Sequence, residues 1–585
     1  MHSIHEEYER RLALAEKNIA QEFKQKKAML LALVACALLS VIALLLLVYK
    51  CLPLLLILAC YFIWQHHQVQ KRWRSSGRER DYFQRGLNRL NGRWETLENS
   101  GSEYRQEDHA YQDDLGILGH HSLFQFLCTV RTKLGRQHLA HLLLTPVPFT
   151  ESMARQASVK ELVSCTHLRE TIASSGETSV SDCSKEELAE WLSMPLLKPP
   201  ALLHPIFCIC VIAVCLLSLG VYSQLLVLHA FLPWIVGLAI PPLCIGAKYK
   251  TAVVRRLAVL RPISGSFALL LEGIVLLEQQ EFSSQKLRDG VNKLRADRAT
   301  MHLRELARIF WWLQQREKPY FAFTIFIALG TLIVMRAERW REQNGKAIDS
   351  WLDVFGTFEA LQALACCAYE HPEWTFPCLS TGPANYQAVA LGHPLLPNGQ
   401  CVRNDVALGE RQRYLFVSGS NMAGKSTLLR AVGLNAVLAF AGGPVCADSL
   451  ELSTMQLHAS IAVQDNLGGG RSRFMAEIQR IASAMAAARD GQTVLFLIDE
   501  ILSGTNSQDR SFVVNAFLSQ MLQADALGML TSHDLSLVTG LPGASVCHMA
   551  SDNPIDPLQF DHKLKPGLLQ QSNGIALARL AGIVL

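Results

Sequence analysis

Two kinds of hydrophobic pattern divide this chain of 585 residues. One is the long unbroken run. Ala28 to Tyr49, "AMLLALVACALLSVIALLLLVY", holds 22 residues without a charge, enough for a helix to cross about 30 Å of hydrocarbon. After Lys50 the shorter "CLPLLLILACYFIW" needs Gln65 to His67 to complete a return crossing. From Pro199 to Ala247, 49 residues pass with no Asp, Glu, Lys or Arg, and a turn near Tyr222 and Ser223 splits them into two helix-length halves. The pattern predicts two membrane hairpins, at 28–67 and 201–247. Buried core helices would fit the second, 14-residue run but not 49 consecutive uncharged residues.

The other kind is the short apolar stretch that ends in chemistry. "RYLFVSGSNMAGKSTLLRAVGL" reads as a strand over Tyr414 to Val417, a Gly-bearing loop and a helix from about Lys425. "TVLFLIDE" reads as a buried parallel strand delivering Asp499 and Glu500 to the carboxyl edge of a sheet. "GMLTSHD" is a further strand ending at His533.

Composition and charge sharpen this picture. Half of the residues are hydrophobic and 18% are charged, below the usual quarter for soluble domains, in keeping with membrane segments. Such a length asks for two to four structural units. Lys24, Lys26 and Lys27 precede the first run, Lys71, Arg72, Arg74, Arg78 and Arg80 follow the second, and Lys248, Lys250, Arg255 and Arg256 follow the fourth. By the positive-inside rule these flanks are cytoplasmic, giving a four-span membrane protein with its amino terminus and carboxy-terminal module in the cytoplasm. Phe321 to Met335 is apolar too, but a fifth crossing would strand that module where there is no ATP, so this stretch is assigned to a buried helix. Net charge is only +4, which gives no global reason to expect nucleic acid. Of the 16 cysteines, Cys36, Cys51, Cys60, Cys208, Cys210, Cys215 and Cys244 lie in apolar runs and read as reduced, small hydrophobes. No structural-metal spacing is present.

The loop at 418–427 has the residue types that a phosphate cradle requires. Gly419 and Gly424 let backbone N–H groups wrap the phosphates, with Ser420, Asn421, Met422, Ala423 and Thr427 completing the binding loop. Lys425 sets its ammonium against the β and γ phosphates, and Ser426 offers a hydroxyl to Mg²⁺. The helix that follows points its positive end at the anion. Asp499 is expected to hold Mg²⁺, Glu500 to orient and deprotonate the attacking water, and His533 to sense the γ phosphate. Strand-terminal acids also cap helices, the bland reading for Asp499 and Glu500.

These strings together resemble the ATPase domain of the MutS mismatch-repair family. The family's "GPNMGGKST" is matched by "GSNMAGKST", "GRSTFMVEM" by "GRSRFMAEI" at 470–478, "LLDEIGRGTS" by "LIDEILSGTN", and "ATHY" by "TSHD". "KPGLLQQSNGIALARLAG" at 565–582 is similar to the family's closing stretch, and "LGHPLL" and "RNDVAL" to its "RHP" and "PNDV". A weaker similarity covers 122–162, where Leu134, Gly135, Arg136 and Gln156 fall on matching positions of the helical core. The resemblance implies an ATP- and Mg²⁺-dependent ATPase that works as a homodimer. Ser472, with Arg471 and Glu477, would complete the partner's site in trans. No counterpart of the mismatch-reading domain is found, so mismatch recognition is not expected.

The implied architecture is an α/β P-loop NTPase of ABC/MutS type at the carboxy end, preceded by an all-α MutS-like core and lever region that the transmembrane hairpins interrupt. Its units are a cytoplasmic segment 1–27, a hairpin 28–67, helical core 68–200, a hairpin 201–247, core and lever 248–380, and the ATPase domain 381–585. The bilayer is one partner. Basic stretches such as "RLNGRW", "RTKLGRQ" and "KLRADRATMHLRELAR" carry enough charge to touch DNA phosphates in a structure-dependent, mismatch-independent way, or form an ordinary solvated helix face. The competing readings are an ABC-type transport ATPase, or a membrane scaffold with a regulatory nucleotide site.

Overall fold

The computed structural model describes residues 2–45, 52–176, 185–197, 228–316, 329–397, 399–420, 422–461, 473–502, 506–532, 544–550 and 560–568, with isolated residues between 209 and 220. Most of the first half of the expected second hairpin, 201–247, therefore lies outside the described residues.

Two long helices, α1 (His2–Leu45) and α2 (Leu52–Leu90), pack side by side as an antiparallel stalk. The expected boundaries at 27/28 and 67/68 do not break either helix. No Gly or Pro interrupts α1, so nothing stops its hydrogen-bond ladder where its composition changes from charged to apolar. Beyond residue 30 the stalk exposes its hydrophobic side chains: Leu31 is 70% exposed, Leu38 59%, Leu45 76%, Leu54 61%, Ile57 65% and Trp64 56%. Of the described helices, α1 alone is long and apolar enough by itself to cross a membrane. A bent pair, Ala247–Ile263 with Phe267–Glu278 at 57°, passes the same test jointly. Leu260, Ile263, Phe267 and Ile274 of that pair are buried in the protein core.

The base of the stalk is anchored. Gly86 on α2 lets Tyr8 of α1 lie against the backbone, since a Cβ there would stand 2.5 Å from Tyr8 Cε2. Tyr8, Tyr82, Phe83 and Leu87 form a small core.

The helical region comprises α3 (Leu123–Leu127), α4 (Lys133–Leu144), α5 (Phe149–Val163), α6 (Thr166–Ser174), α7 (Lys185–Ser193), α8 (Leu228–Glu278), α9 (Gln285–Ala296), α10 (Ala299–Arg316), α11 (Leu329–Asn344) and α12 (Ile348–Glu370). Ser122 and Thr132 cap α3 and α4 by accepting from Gln125 N and Gly135 N. Of the apolar stretch 321–335, residues 321–328 lie outside the described residues; the rest belongs to α11, where Thr331, Ile333, Val334 and Met335 are buried. At the centre lies α12, with nearly every side chain from Phe355 to Cys367 buried. At its end, Arg89 of α2 grips Glu370 through two hydrogen bonds of 2.7 and 2.5 Å. Arg169 adds a bond to Tyr82 and stacks over Tyr369 at 4.8 Å.

From α12 the chain enters the nucleotide module, whose first strand starts three residues before the expected boundary at 381. A four-stranded sheet, in order β1-β5-β2-β3, contains β1 (Cys378–Ser380), β2 (Tyr386–Leu391), β3 (Asn404–Leu408) and β5 (Ser449–Ser453). A six-stranded sheet, in order β10-β9-β4-β8-β7-β6, contains β4 (Tyr414–Gly419), β6 (Gln456–Ser460), β7 (Val494–Ile498), β8 (Leu527–Thr531), β9 (Ala544–Met549) and β10 (Lys565–Pro566). Only β10 runs antiparallel in it. Helices α13 (Lys425–Ala441), α14 (Arg473–Arg489) and α15 (Ser507–Gln523) belong to the same module. Strands β4, β7 and β8 are buried at every position, as a parallel sheet covered on both faces requires.

Candidate nucleotide site

β4 runs at the middle of the six-stranded sheet and delivers the loop 418–424 to its carboxyl edge. Gly419 has φ +150° and a Cβ there would collide with the Met549 carbonyl; Gly424, at φ +104°, caps α13. Both angles lie where only glycine is at ease. Met422 holds φ +72° and is 78% exposed.

Lys425 opens α13 and is 5% exposed. Its Nζ donates to the carbonyls of Gly419 and Ser420, both at 2.9 Å. Burial lowers the ammonium's pKa from its ordinary value, against the pull of Asp499 and Glu500. Ser420 Oγ is shut off from solvent and has no hydrogen-bond partner among the described residues, an orphaned group that a phosphate oxygen would satisfy.

Ser426 Oγ donates to Asp499 Oδ2, and Thr531 Oγ1 donates to Asp499 Oδ1 at 2.5 Å. Thr531 Oγ1 also accepts from Glu500 N at 2.8 Å. Parallel pairing makes this possible: Val417 of β4 lies opposite Thr531, and Ile498 of β7 opposite Leu530. Glu500 has φ +48°, a left-handed backbone that costs on the order of 1 kcal/mol and that such sites tolerate. The hydroxyl and carboxylate donors of Ser426 and Asp499 suit a hard divalent cation such as Mg²⁺. The structure thus brings Gly419, Ser420, Met422, Ala423, Gly424, Lys425, Ser426, Asp499 and Glu500 to one sheet edge. Thr427 lines the adjoining cleft. Glu477 is buried on α14, and Asn421, Arg471, Ser472 and His533 lie outside the described residues.

Beside the loop opens a cleft of about 240 Å³, lined among others by Leu396, Val402, Met422, Leu428, Met549 and His562, a largely apolar lining with a few polar groups. Two of its members escape sequence reading. Asn404, the Asn of "RNDV", donates to His562 O at 3.0 Å and accepts from Leu564 N at 2.8 Å. His562 Nδ1 in turn lies 3.0 Å from the Ala423 carbonyl. The strand β3 thereby ties a segment nearly 160 residues distant to the phosphate loop. His393 at the same wall is pushed down to about 4 by burial and by Arg430.

Comparison with known proteins agrees with this geometry. Residues 415–584 match the family model described as MutS domain V. Over 234 residues the chain is 32% identical to the DNA mismatch repair protein MutS 2 of Halobacterium salinarum, covering 38% of this chain and 26% of that protein. It is 30% identical over 221 residues to the DNA mismatch repair protein MSH6 of Arabidopsis thaliana, covering 35% and 16%. With the DNA mismatch repair protein MutS of Thermus thermophilus it shares 30% over 283 residues, covering 48% and 32%. The chain spans at most about a third of the length of these relatives. Residues 415–584 are thus a MutS domain V, an α/β module behind a helical amino-terminal region, and over that part the chain is similar to mismatch-repair proteins of the MutS family.

Proposed function

We propose that this protein is a membrane-tethered, homodimeric MutS-like ATPase, in which ATP binding and hydrolysis move the helical core against the stalk. The observation that carries the reading is the arrangement of Lys425, Ser426, Asp499 and Glu500 around one loop, with Ser420 Oγ left orphaned for a phosphate oxygen. Lys425 would exchange its two carbonyl partners for β and γ phosphate oxygens. Ser426 and Asp499 would hold Mg²⁺, which neutralises phosphate charge when bound. Glu500 orients a water and accepts its proton as the oxygen–phosphorus bond forms in line and the bond to the β-phosphate oxygen breaks, releasing ADP and phosphate. Ser472 of each copy would close on the other's γ phosphate, which makes the ATP-bound state the closed one.

Glu500→Gln tests this. The variant should bind ATP as the unaltered protein does and hydrolyse it at least a hundredfold more slowly; unchanged turnover removes Glu500 from the role.

The exposed apolar band on the stalk supports the bilayer as partner, with the amino terminus and nucleotide module on the cytoplasmic side. Membranes washed with alkaline carbonate should retain the protein; its appearance in the supernatant refutes the tether. DNA is the second partner we propose, gripped by phosphate charge rather than by base edges. Arg288, Lys293, Arg304 and Arg308 are exposed along α9 and α10, and the relatives above are mismatch-repair proteins. In detergent, affinity for duplex or branched DNA should fall steeply with salt, and no binding at low salt ends this part of the reading.

A further inference from the structure

Between the stalk and the helical core, residues 109–118 form a strap across three elements of the nucleotide module. Ala459 N donates to Ala110 O at 2.9 Å, so the strap bonds to the outer side of β6, the last strand in the order of the six-stranded sheet. Leu115 packs on α13 at Gly433, where an added Cβ would stand 2.7 Å from both of its methyl groups. Arg430 of α13 donates to the Asp114 carbonyl at 3.1 Å.

The Asp114 side chain carries the rest. It is 1% exposed. Its Oδ1 accepts from Ile461 N at 2.7 Å, at the end of β6. Its Oδ2 pairs with Arg480 of α14. Ile461 and α14 are the two described flanks of the stretch 462–472, which holds Arg471 and Ser472 in the sequence. One carboxylate therefore fastens both flanks, while the carbonyl of the same residue fastens the helix that starts at Lys425.

We propose that Asp114 is a positioning residue that holds Ile461 and α14 in one fixed relation to the helix that starts at Lys425, and that ATP-driven closure of the dimer depends on this relation. The proposal rests on the dimeric ATPase reading above. The buried carboxylate accepts from the Ile461 N–H and pairs with the Arg480 guanidinium; an amide in its place keeps the size but turns no charge toward Arg480.

The test uses the full-length protein in detergent with Asp114→Asn, Asp114→Glu, Arg480→Gln and the double variant Asp114→Asn/Arg480→Gln. Affinity for a fluorescent ATP analogue with Mg²⁺ should stay within about twofold of wild type in Asp114→Asn, because the phosphate loop is untouched. ATP-induced dimerisation and kcat should fall at least about tenfold. Asp114→Glu should recover part of the loss, and the double variant should be no worse than the worse single one. Hydrogen exchange should quicken at Ile461 and along 473–489 in Asp114→Asn. Wild-type kcat in Asp114→Asn overturns the proposal. So does an equal loss of nucleotide affinity and kcat accompanied by a lower Tm, the mark of a merely structural role. If the wild type hydrolyses no ATP, the ATPase reading fails by itself. Hydrogen exchange then decides Asp114: quickened exchange at the two flanks supports its role, and unchanged exchange overturns it.

Discussion

Removing Glu370 should damage the protein far more than removing Glu370 and Arg89 together. Their side chains are 2% and 4% exposed, so neither keeps appreciable contact with water. In Glu370→Gln the guanidinium loses its counter-charge and one of two charge-assisted bonds, retaining only the amide oxygen and Cys366 Sγ at 3.8 Å. Breaking a buried pair in this way costs about 3–5 kcal/mol. Near 3 kcal/mol, the ratio of folded to unfolded protein drops by roughly 150-fold. Replacing both partners by apolar residues of similar volume, Arg89→Met with Glu370→Leu, avoids the stranded charge and should come within about 1 kcal/mol of wild type. Urea unfolding of the detergent-solubilised protein, followed by far-ultraviolet circular dichroism, measures all three. If Glu370→Gln costs less than about 1 kcal/mol, or the double variant is as damaged as the single one, the pair is not the clamp described.

Glu359 is buried against Thr132, and burial pushes its carboxyl up to about 7. The native state then keeps a proton that the unfolded chain releases between pH 4.5 and 7, so stability should rise as pH falls through that window, by on the order of 3 kcal/mol. Glu359→Gln should abolish the slope in pH-dependent urea midpoints, and an unaltered slope would count against the assignment. Glu370 behaves oppositely: burial alone would raise its pKa, but Arg89 outweighs burial and lowers it. Its contribution is complete above pH 4.5 and disappears as pH falls further, which the double variant should show as a shallower acid limb. Gly419→Ala would drive a Cβ into the Met549 carbonyl at a backbone angle closed to alanine; ATP affinity by equilibrium dialysis should fall at least tenfold, and a normal affinity would mean the loop is not the phosphate cradle. Lys425→Ala should abolish measurable ATP binding while leaving Tm within a few degrees, whereas retained binding would refute the role given to Lys425.

The chemistry was legible in the sequence wherever it depended on local spacing. Strand β4, the start of α13 at Lys425 and the acids closing β7 all follow from short apolar runs joined to polar loops. Long-range partners were not legible. Thr531 bridges Asp499 and Glu500 only because β8 lies between β4 and β7, and no spacing along the chain encodes that order. Asn404 and His562 meet across nearly 160 residues, and Asp114 meets Arg480 across 366. The four-stranded sheet was hidden for a related reason, since β1 has three residues and pairs with β5 across a gap of about seventy. The apolar runs at 28–49 and 51–64 were plain, yet the continuity of α1 through residue 27 was not, because a change in composition looks like a boundary even when no breaker stands there.

The unbroken length of that helix has a mechanical consequence. At 1.5 Å per residue, 44 residues make a rod of about 66 Å, doubled by its neighbour and bolted at one end through Tyr8, Arg89 and Glu370. A tilt of only about 5° at the bolted end swings the far tip by roughly 6 Å, a sub-ångström rearrangement near the fastening being magnified with distance. Were the tip embedded in lipid, as proposed above, the same gearing would run in reverse, and lateral stress in the bilayer would be felt as torque where the rod is fixed.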